Sequence, residues 1–244
     1  DHYSDFGDTV NPRMGIVWQA NDNLTLKLFN ASAFRSPSFY DLYGANNPVN
    51  LGNPNLEPEE ITTNEINLAY SLGKNFQTDV TFYDYSATEL IEYAVVEGIA
   101  GSVATNLGKI NGEGLEWQIR WRPTDVLDIK ANFSKVISED IAGSQRPDFS
   151  DKMASLAVNY MLNEQISLNI FNQYYGEQHR VRTDNRAPVA SYIWSSAKVS
   201  YTVPDAPIEI SLTINNIGNA NGHFPSIRIQ EDYPIASRQW MLGF

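Results

Sequence analysis

Eight residues near the middle of the chain, Leu115-Glu116-Trp117-Gln118-Ile119-Arg120-Trp121-Arg122, constrain the fold more than any other stretch. Large apolar side chains alternate with charged or amide ones. Only an extended strand sends successive side chains to opposite faces. One face is therefore greasy and the other is charged. A dry core offers no partners for such a row of charges, so this strand needs water on one side and an apolar medium on the other.

The same two-faced pattern recurs along the chain. Leu24, Leu26 and Leu28 alternate with Thr25 and Lys27. Ile66, Leu68, Tyr70 and Leu72 share a face, as do Phe76, Thr78, Val80 and Phe82, then Leu127, Ile129, Ala131 and Phe133. Near the end, Ile208, Ile210, Leu212 and Ile214 alternate with Glu209, Ser211, Thr213 and Asn215, and a last run, Arg238 to Phe244, stops on an aromatic ring. About eleven strands result, the first near 12–20. Short turns near 21–23, 73–75, 123–125, 163–165 and 204–207 alternate with long loops near 35–60, 91–111, 138–150, 176–190 and 216–234. Outer-membrane barrels sort their loops in this way, with short periplasmic turns and long extracellular loops. A soluble β-sandwich or propeller is the alternative all-β reading, but it has no reason to sort loops by parity.

The sorting sets direction. If the C-terminus is periplasmic, the last strand runs downward, and counting back so does the first. Two parallel strands cannot close an antiparallel barrel against each other. The chain is therefore expected to be the later part of a larger, even-stranded barrel, with the other strands before Asp1. Left alone, it would expose two open edges to lipid.

Composition fits this reading and removes others. The net charge is −12, with 29 acidic residues against 17 Lys and Arg, which argues against a nucleic-acid partner. Tyr and Trp, 13 and 5 in number, suit positions with one wet and one apolar end. There is no cysteine, so no disulfide and no thiolate chemistry. His2, His179 and His223 are too scattered to suggest a metal cluster, and no cofactor is expected. No apolar run approaches the length of a transmembrane helix. Among catalytic signatures there is neither a Gly-x-Ser-x-Gly elbow nor a glycine-rich phosphate loop, so the chain does not read as an enzyme.

Four stretches, in order, resemble the C-terminal barrel of TonB-dependent outer-membrane receptors. Phe34-Arg35-Ser36-Pro37-Ser38 followed by Asp41-Leu42-Tyr43 is similar to that family's "FRAPS…ELY" segment. Asn53-Pro54-Asn55-Leu56-Glu57-Pro58-Glu59 is similar to its "NPNLKPE" segment. The stretch from Asn106 through Gly112, Gly114 and Glu116 resembles its "N…GxE" strand start. Asn215-Asn216-Ile217-Gly218-Asn219 stands where the family has "NNLFD", with Ile-Gly replacing Leu-Phe, and Phe244 fits the family's C-terminal aromatic.

The resemblance implies an all-β, transmembrane antiparallel barrel of about 22 strands, of which this chain supplies roughly the last eleven. It implies a plug domain, a TonB-contacting segment and earlier strands elsewhere in the full-length protein, and insertion by the barrel-assembly machinery through Phe244. The implied activity is TonB-energised uptake of a scarce, large solute across the outer membrane. A ferric siderophore is expected on family prevalence, with cobalamin, heme or a glycan as alternatives. A passive porin or a barrel enzyme is the rival class. Some heme-uptake members carry a histidine between the first two segments; none stands between Ser36 and Gly52 here.

Candidate solute contacts are Tyr40, Tyr43, Tyr83, Tyr85, Tyr93, Tyr174 and Tyr175, which could pack on a flat or catechol-bearing chelate, and Arg180, Arg182 and Arg186, which could attract an anionic one. The bland readings are an interfacial aromatic girdle and a solvated charged loop. Phe34, Arg35, Pro37, Asn53, Pro54, Leu56, Pro58 and Glu59 are expected to shape the turns of the 35–60 loop, since proline fixes φ and restricts its predecessor. Glu116, Gln118, Arg120, Asp128 and Lys130 are expected to face the lumen, and Leu115, Trp117, Ile119 and Phe133 the lipid.

Overall fold

In a computed structural model of the chain, residues 2–3, 7–45, 49–145, 149–181, 184–226 and 230–244 are described. Eleven strands form one antiparallel meander. They are β1 (Arg13–Asn21), β2 (Leu24–Arg35), β3 (Glu59–Leu72), β4 (Phe76–Val95), β5 (Ser102–Thr124), β6 (Leu127–Asp140), β7 (Lys152–Met161), β8 (Ile166–Tyr175), β9 (Tyr192–Thr202), β10 (Glu209–Asn215) and β11 (Gln239–Gly243). Each pairs with its sequence neighbours, so the sheet runs β1 to β11 in chain order. Strands β1 and β11 are its two edges.

The tight turns are built by local chemistry. The Asn21 side-chain oxygen accepts from the backbone N–H of Asn23 and Leu24, at 2.9 and 3.0 Å. Asn163 repeats the arrangement with Gln165 and Ile166, at 2.9 and 2.7 Å. Both are side-chain turns that spare the backbone unpaired donors. Gly73 takes φ +60 between β3 and β4, a conformation that needs no Cβ.

Register confirms the two faces. One row across the sheet reads Trp18, Leu26, Leu68, Val80, Trp117, Phe133, Ala154, Tyr174, Ile193, each directly opposite the next. The adjacent row on the other face reads Thr25, Ala69, Asp79, Gln118, Asn132, Ser155, Gln173. The Trp117 indole N–H, which lipid could not satisfy, donates to Thr78 Oγ1 at 2.8 Å. On the polar face Asp128 accepts from Arg122 Nε at 2.7 Å and lies 3.5 Å from Arg120.

Among the described residues no second sheet or helical layer covers the strands. Buried apolar residues are few, chiefly Leu42, Leu56, Ala87, Ala104 and Val189, while Trp18, Trp240 and Leu242 are more than 60% exposed. The accessible surface is 16003 Å², whereas a globular monomer of this mass would expose about 11,000 Å². This is a single wall whose apolar face is exposed, and the all-β barrel expectation stands.

One expectation is corrected. Residues 91–111 are not a loop. β4 continues to Val95 and β5 begins at Ser102, so the two project as a long hairpin closed by only six residues. The alternation falters there because the register shifts between Ala87, Leu90 and Ile91, and Glu89 sits at φ 55. A β-bulge of this kind hides a strand from pattern reading. The 36–58 connection is long, as expected, but carries a short helix, α1 (Phe39–Tyr43), that the turn chemistry did not announce.

Candidate solute-facing mouth

All the longer connections and the projecting β4–β5 hairpin lie at one end of the sheet. There the 36–58 segment folds over the polar face rather than away from it. Ser38 caps α1, accepting from the Asp41 N–H at 3.1 Å while Asp41 Oδ2 accepts from the Ser38 N–H at 3.1 Å, a capping box with Asp in the Glu position. Leu42, on the inner side of α1, packs with Leu56 and Ala104, and Ile91 and Tyr93 close around them. Gly52 abuts the backbone of Leu42 and Tyr43 so closely that a Cβ would not fit.

Polar ties complete the docking. Asn53 Nδ2 donates to the Ala104 carbonyl at 3.1 Å. Asn106 accepts from the Glu57 N–H at 2.9 Å and donates to the Glu57 and Glu89 carbonyls at 2.9 and 2.7 Å. Glu59 is buried; its carboxylate takes both Arg35 guanidinium donors and the Ile91 N–H, the last at 2.9 Å. Burial pushes its pKa up, and the Arg35 and Ile91 hydrogen bonds outweigh that, leaving it below the usual carboxylate range. The Tyr93 hydroxyl donates to Asp41 Oδ1 at 3.0 Å, and burial followed by that carboxylate pushes its pKa up to about 12. Three sequence motifs far apart in the chain thus form one unit.

The unit's outer side is aromatic. Phe39, Tyr40 and Tyr43 are 75%, 48% and 56% exposed. The Tyr40 ring lies 6.5 Å from Tyr93, and Phe39 lies 6.2 Å from Tyr43. Below them on the polar face, Tyr85 covers Gly112 and Tyr83 covers Gly114, where any Cβ would overlap the rings. Tyr85 also donates to Ser138 at 2.8 Å.

The other motif residues are placed as follows. Pro37 is buried, Pro58 is half-buried and Pro54 is exposed. The Phe34 ring packs edge-on against Tyr3 at 5.5 Å. Glu116 is exposed on the polar face opposite Ser134. Asn216 is buried at φ 50, donates to the Ala220 and Ala236 carbonyls at 3.0 and 2.9 Å, and accepts from the Ala220 N–H at 2.8 Å. Asparagine tolerates that conformation, and its amide fastens the root of the 216–238 loop. Phe244 is 98% exposed.

Tyr175 stacks on Tyr192 at 4.9 Å and meets Phe224 edge-on at 6.3 Å, away from the α1 aromatics. Arg180 does not supply the free positive charge expected of it. Its side chain is 8% exposed, grips both Asp232 oxygens at 2.7 and 2.5 Å, and donates to the Ala187 carbonyl. Arg186 pairs with Asp184 and donates to the Gln230 and Ser226 carbonyls. These contacts tie loop 176–191 to loop 216–238. The Arg180 hydrogen bonds hold Asp232 down at about 2, and those from Arg186 hold Asp184 at about 2. Arg182 lies outside the described residues. Asp184 and Asp232, the acceptors of this network, were not singled out from the sequence, because nothing local marks a partner 52 residues away. Among the described residues no group of His, Asp or Glu is arranged to hold a metal.

A family model described as "TonB dependent receptor-like, beta-barrel" matches residues 1–217. The Vitamin B12 transporter BtuB of Vibrio cholerae serotype O1 is 24% identical over 255 aligned residues, covering 100% of this chain and 38% of that protein. Among solved structures, a ferric enterobactin receptor variant of Pseudomonas aeruginosa bound to enterobactin superposes with a TM-score of 0.83 at 17% identity, over 98% of this chain and 40% of that one. The siderophore receptor PirA of Acinetobacter baumannii gives 0.79 at 18% identity, over 97% and 41%. The FrpB iron transporter of Neisseria meningitidis gives 0.74 at 16%, over 95% and 38%. The chain spans about two fifths of the length of these proteins.

Proposed function

Because this chain belongs to the TonB-dependent receptor β-barrel family, we propose that it forms the C-terminal half of an outer-membrane barrel of about 22 strands, and that the full-length protein takes up a scarce, large solute with energy delivered through TonB. A plug domain would occupy the polar face, the barrel-assembly machinery would engage Phe244, and the C-terminus would be periplasmic. The observation that carries this reading is the aromatic shelf of Phe39, Tyr40 and Tyr43, held over the polar face by three interlocked motifs. A passive porin would not need the Phe34–Pro37 and Asn53–Glu59 segments that build it. Uptake by cells expressing the full-length receptor tests it. Accumulation should stop when the proton gradient is collapsed or TonB is deleted, while surface binding persists. Accumulation indifferent to both would identify a passive pore.

For the solute, a ferric siderophore is the first reading, supported by the fold shared with siderophore and iron receptors. A corrinoid is the second. It is supported by the whole-chain match to a vitamin B12 transporter and by the burial of Arg180 in its pair with Asp232, which takes that cation out of reach of an anionic chelate. Titration of the purified receptor with cyanocobalamin and with a ferric catecholate separates the two. Alanine at Tyr40 and Tyr43 should weaken the true ligand by about 1–2 kcal/mol.

A further inference from the structure

Asn172 on β8 shares the apolar face of the wall with Ile170 and Tyr174, two residues to either side. Ser195 on β9 is directly opposite it. The row through this pair continues as Leu156, Ala131, Ile119 and Thr78. The next row toward the loops holds Ala154, Tyr174 and Ile193, and the next one away from them holds Val158, Ile170, Ala197 and Ile214. An amide and a hydroxyl therefore stand inside the apolar belt.

The two bond each other, Ser195 Oγ donating to Asn172 Oδ1 at 2.7 Å. That uses the hydroxyl proton and leaves the amide donors over. Asn172 Nδ2 reaches no acceptor among the described residues. Thr78, the other polar member of the row, shows the contrast. It donates to the Gln118 carbonyl at 2.9 Å and accepts from the Trp117 indole at 2.8 Å. Lipid offers Asn172 nothing equivalent, and a donor left unbonded in an apolar medium is costly. The surroundings are low. Ser195 stands beside Asn172, and Ala154 and Ala197 lie on its diagonals, so a second surface can approach a side chain this short.

We propose that Asn172 is the centre of a self-association face, where two copies of the receptor meet side by side and their Asn172 amides bond each other. The membrane selects this occupant. Copies inserted in the same sense are related by an axis along the membrane normal, and rotation about it leaves every residue at its own depth. A residue on a two-fold axis meets itself. An amide is donor and acceptor at once and so is its own complement. Each Nδ2 donates to the other Oδ1, which keeps a lone pair beyond the one taken by Ser195. This placement rests on the outer-membrane reading above.

The test is cross-linking in outer membranes of cells expressing the full-length receptor at low level, in a background without other cysteines. Ala197→Cys, beside the axis, or Leu68→Cys, on the same face but on β3, is treated with a short bismaleimide. Ala197→Cys should give a receptor–receptor band and Leu68→Cys should not. Adding Asn172→Leu, which suits an apolar belt, should slow the Ala197→Cys reaction about tenfold, the worth of two such hydrogen bonds within a membrane. Absence of the Ala197→Cys band overturns the proposal, as do equal bands at both positions or an unchanged rate in the leucine variant. A band joining the receptor to a protein of another mass overturns the choice of partner. Insertion of each variant is read separately, from its heat-modifiable band. Loss of that band would strike the barrel reading, while loss of the cross-link alone strikes only this one.

Discussion

A side chain on Gly114 would run into the ring of Tyr83, and one on Gly112 into Tyr85. Aromatic rings laid over glycines across a strand pair restore the contact that glycine lacks. The "GxE" stretch is thus a packing requirement set by the strand beside it. Gly114→Ala should lower barrel stability by about 1–3 kcal/mol, read from the temperature at which the folded band is lost on a gel. Tyr83→Ala added to it should recover part of the loss. Glu59→Ala, which leaves the Ile91 N–H without its acceptor, should cost about 1–3 kcal/mol and raise hydrogen exchange at Ile91. Of these residues the sequence showed the glycines and Glu59, since motif spacing is local. It marked Tyr83 and Tyr85 only as candidate solute contacts, because their packing on the glycines exists only once the β4–β5 register is set.

Among elements, the strands were readable because their period of two is written in consecutive residues. Trp117 and Gln118 fall on opposite faces, as their alternation requires. Arg at Ile119 or Ile210 should cost about 2–4 kcal/mol at the bilayer midplane, and Arg at Gln118 or Ser211 much less; equal costs would overturn the face assignment. The β4–β5 hairpin beyond Glu89 was not readable. Its side chains answer to α1 and Leu56 rather than to lipid, so the alternation that marks a membrane strand is not needed there. Helix α1 escaped for a related reason. Five residues carry too little periodicity, and its stability comes from Ser38, Asp41 and the docked Leu42. The loop network adds a pH prediction. Asp232 and Asp184, both held at about 2, favour the joined loops wherever they are ionised. That contribution is complete above about pH 4 and lost as pH falls through about 2. Spin labels at Glu177 and Glu231 should keep one separation from neutral pH to about 4 and broaden only below it.

For the whole molecule, an odd number of antiparallel strands leaves β1 and β11 pointing the same way, each paired on one side only. Lipid gives an unpaired edge nothing to bond with. Residues 1–244 expressed alone should therefore yield aggregates in detergent and no compact, heat-modifiable band. The same residues within the full-length receptor should yield one. The barrel class was legible from loop parity and two-faced strands. The solute was not, because its contacts depend on which loops fold inward, and that is decided by pairs such as Arg180 with Asp232 that lie 52 residues apart.

That pair also has a mechanical meaning. With Arg180 and Arg186 both reaching across to the 216–238 loop, loops 176–191 and 216–238 share one set of fasteners and must swing as a single arm. Asn216 clamps the root of the second loop, so the arm has a fixed base. A solute pressing on either loop would displace both together. The aperture on this side of the mouth would then open in one step, at a force set by the two guanidinium grips together.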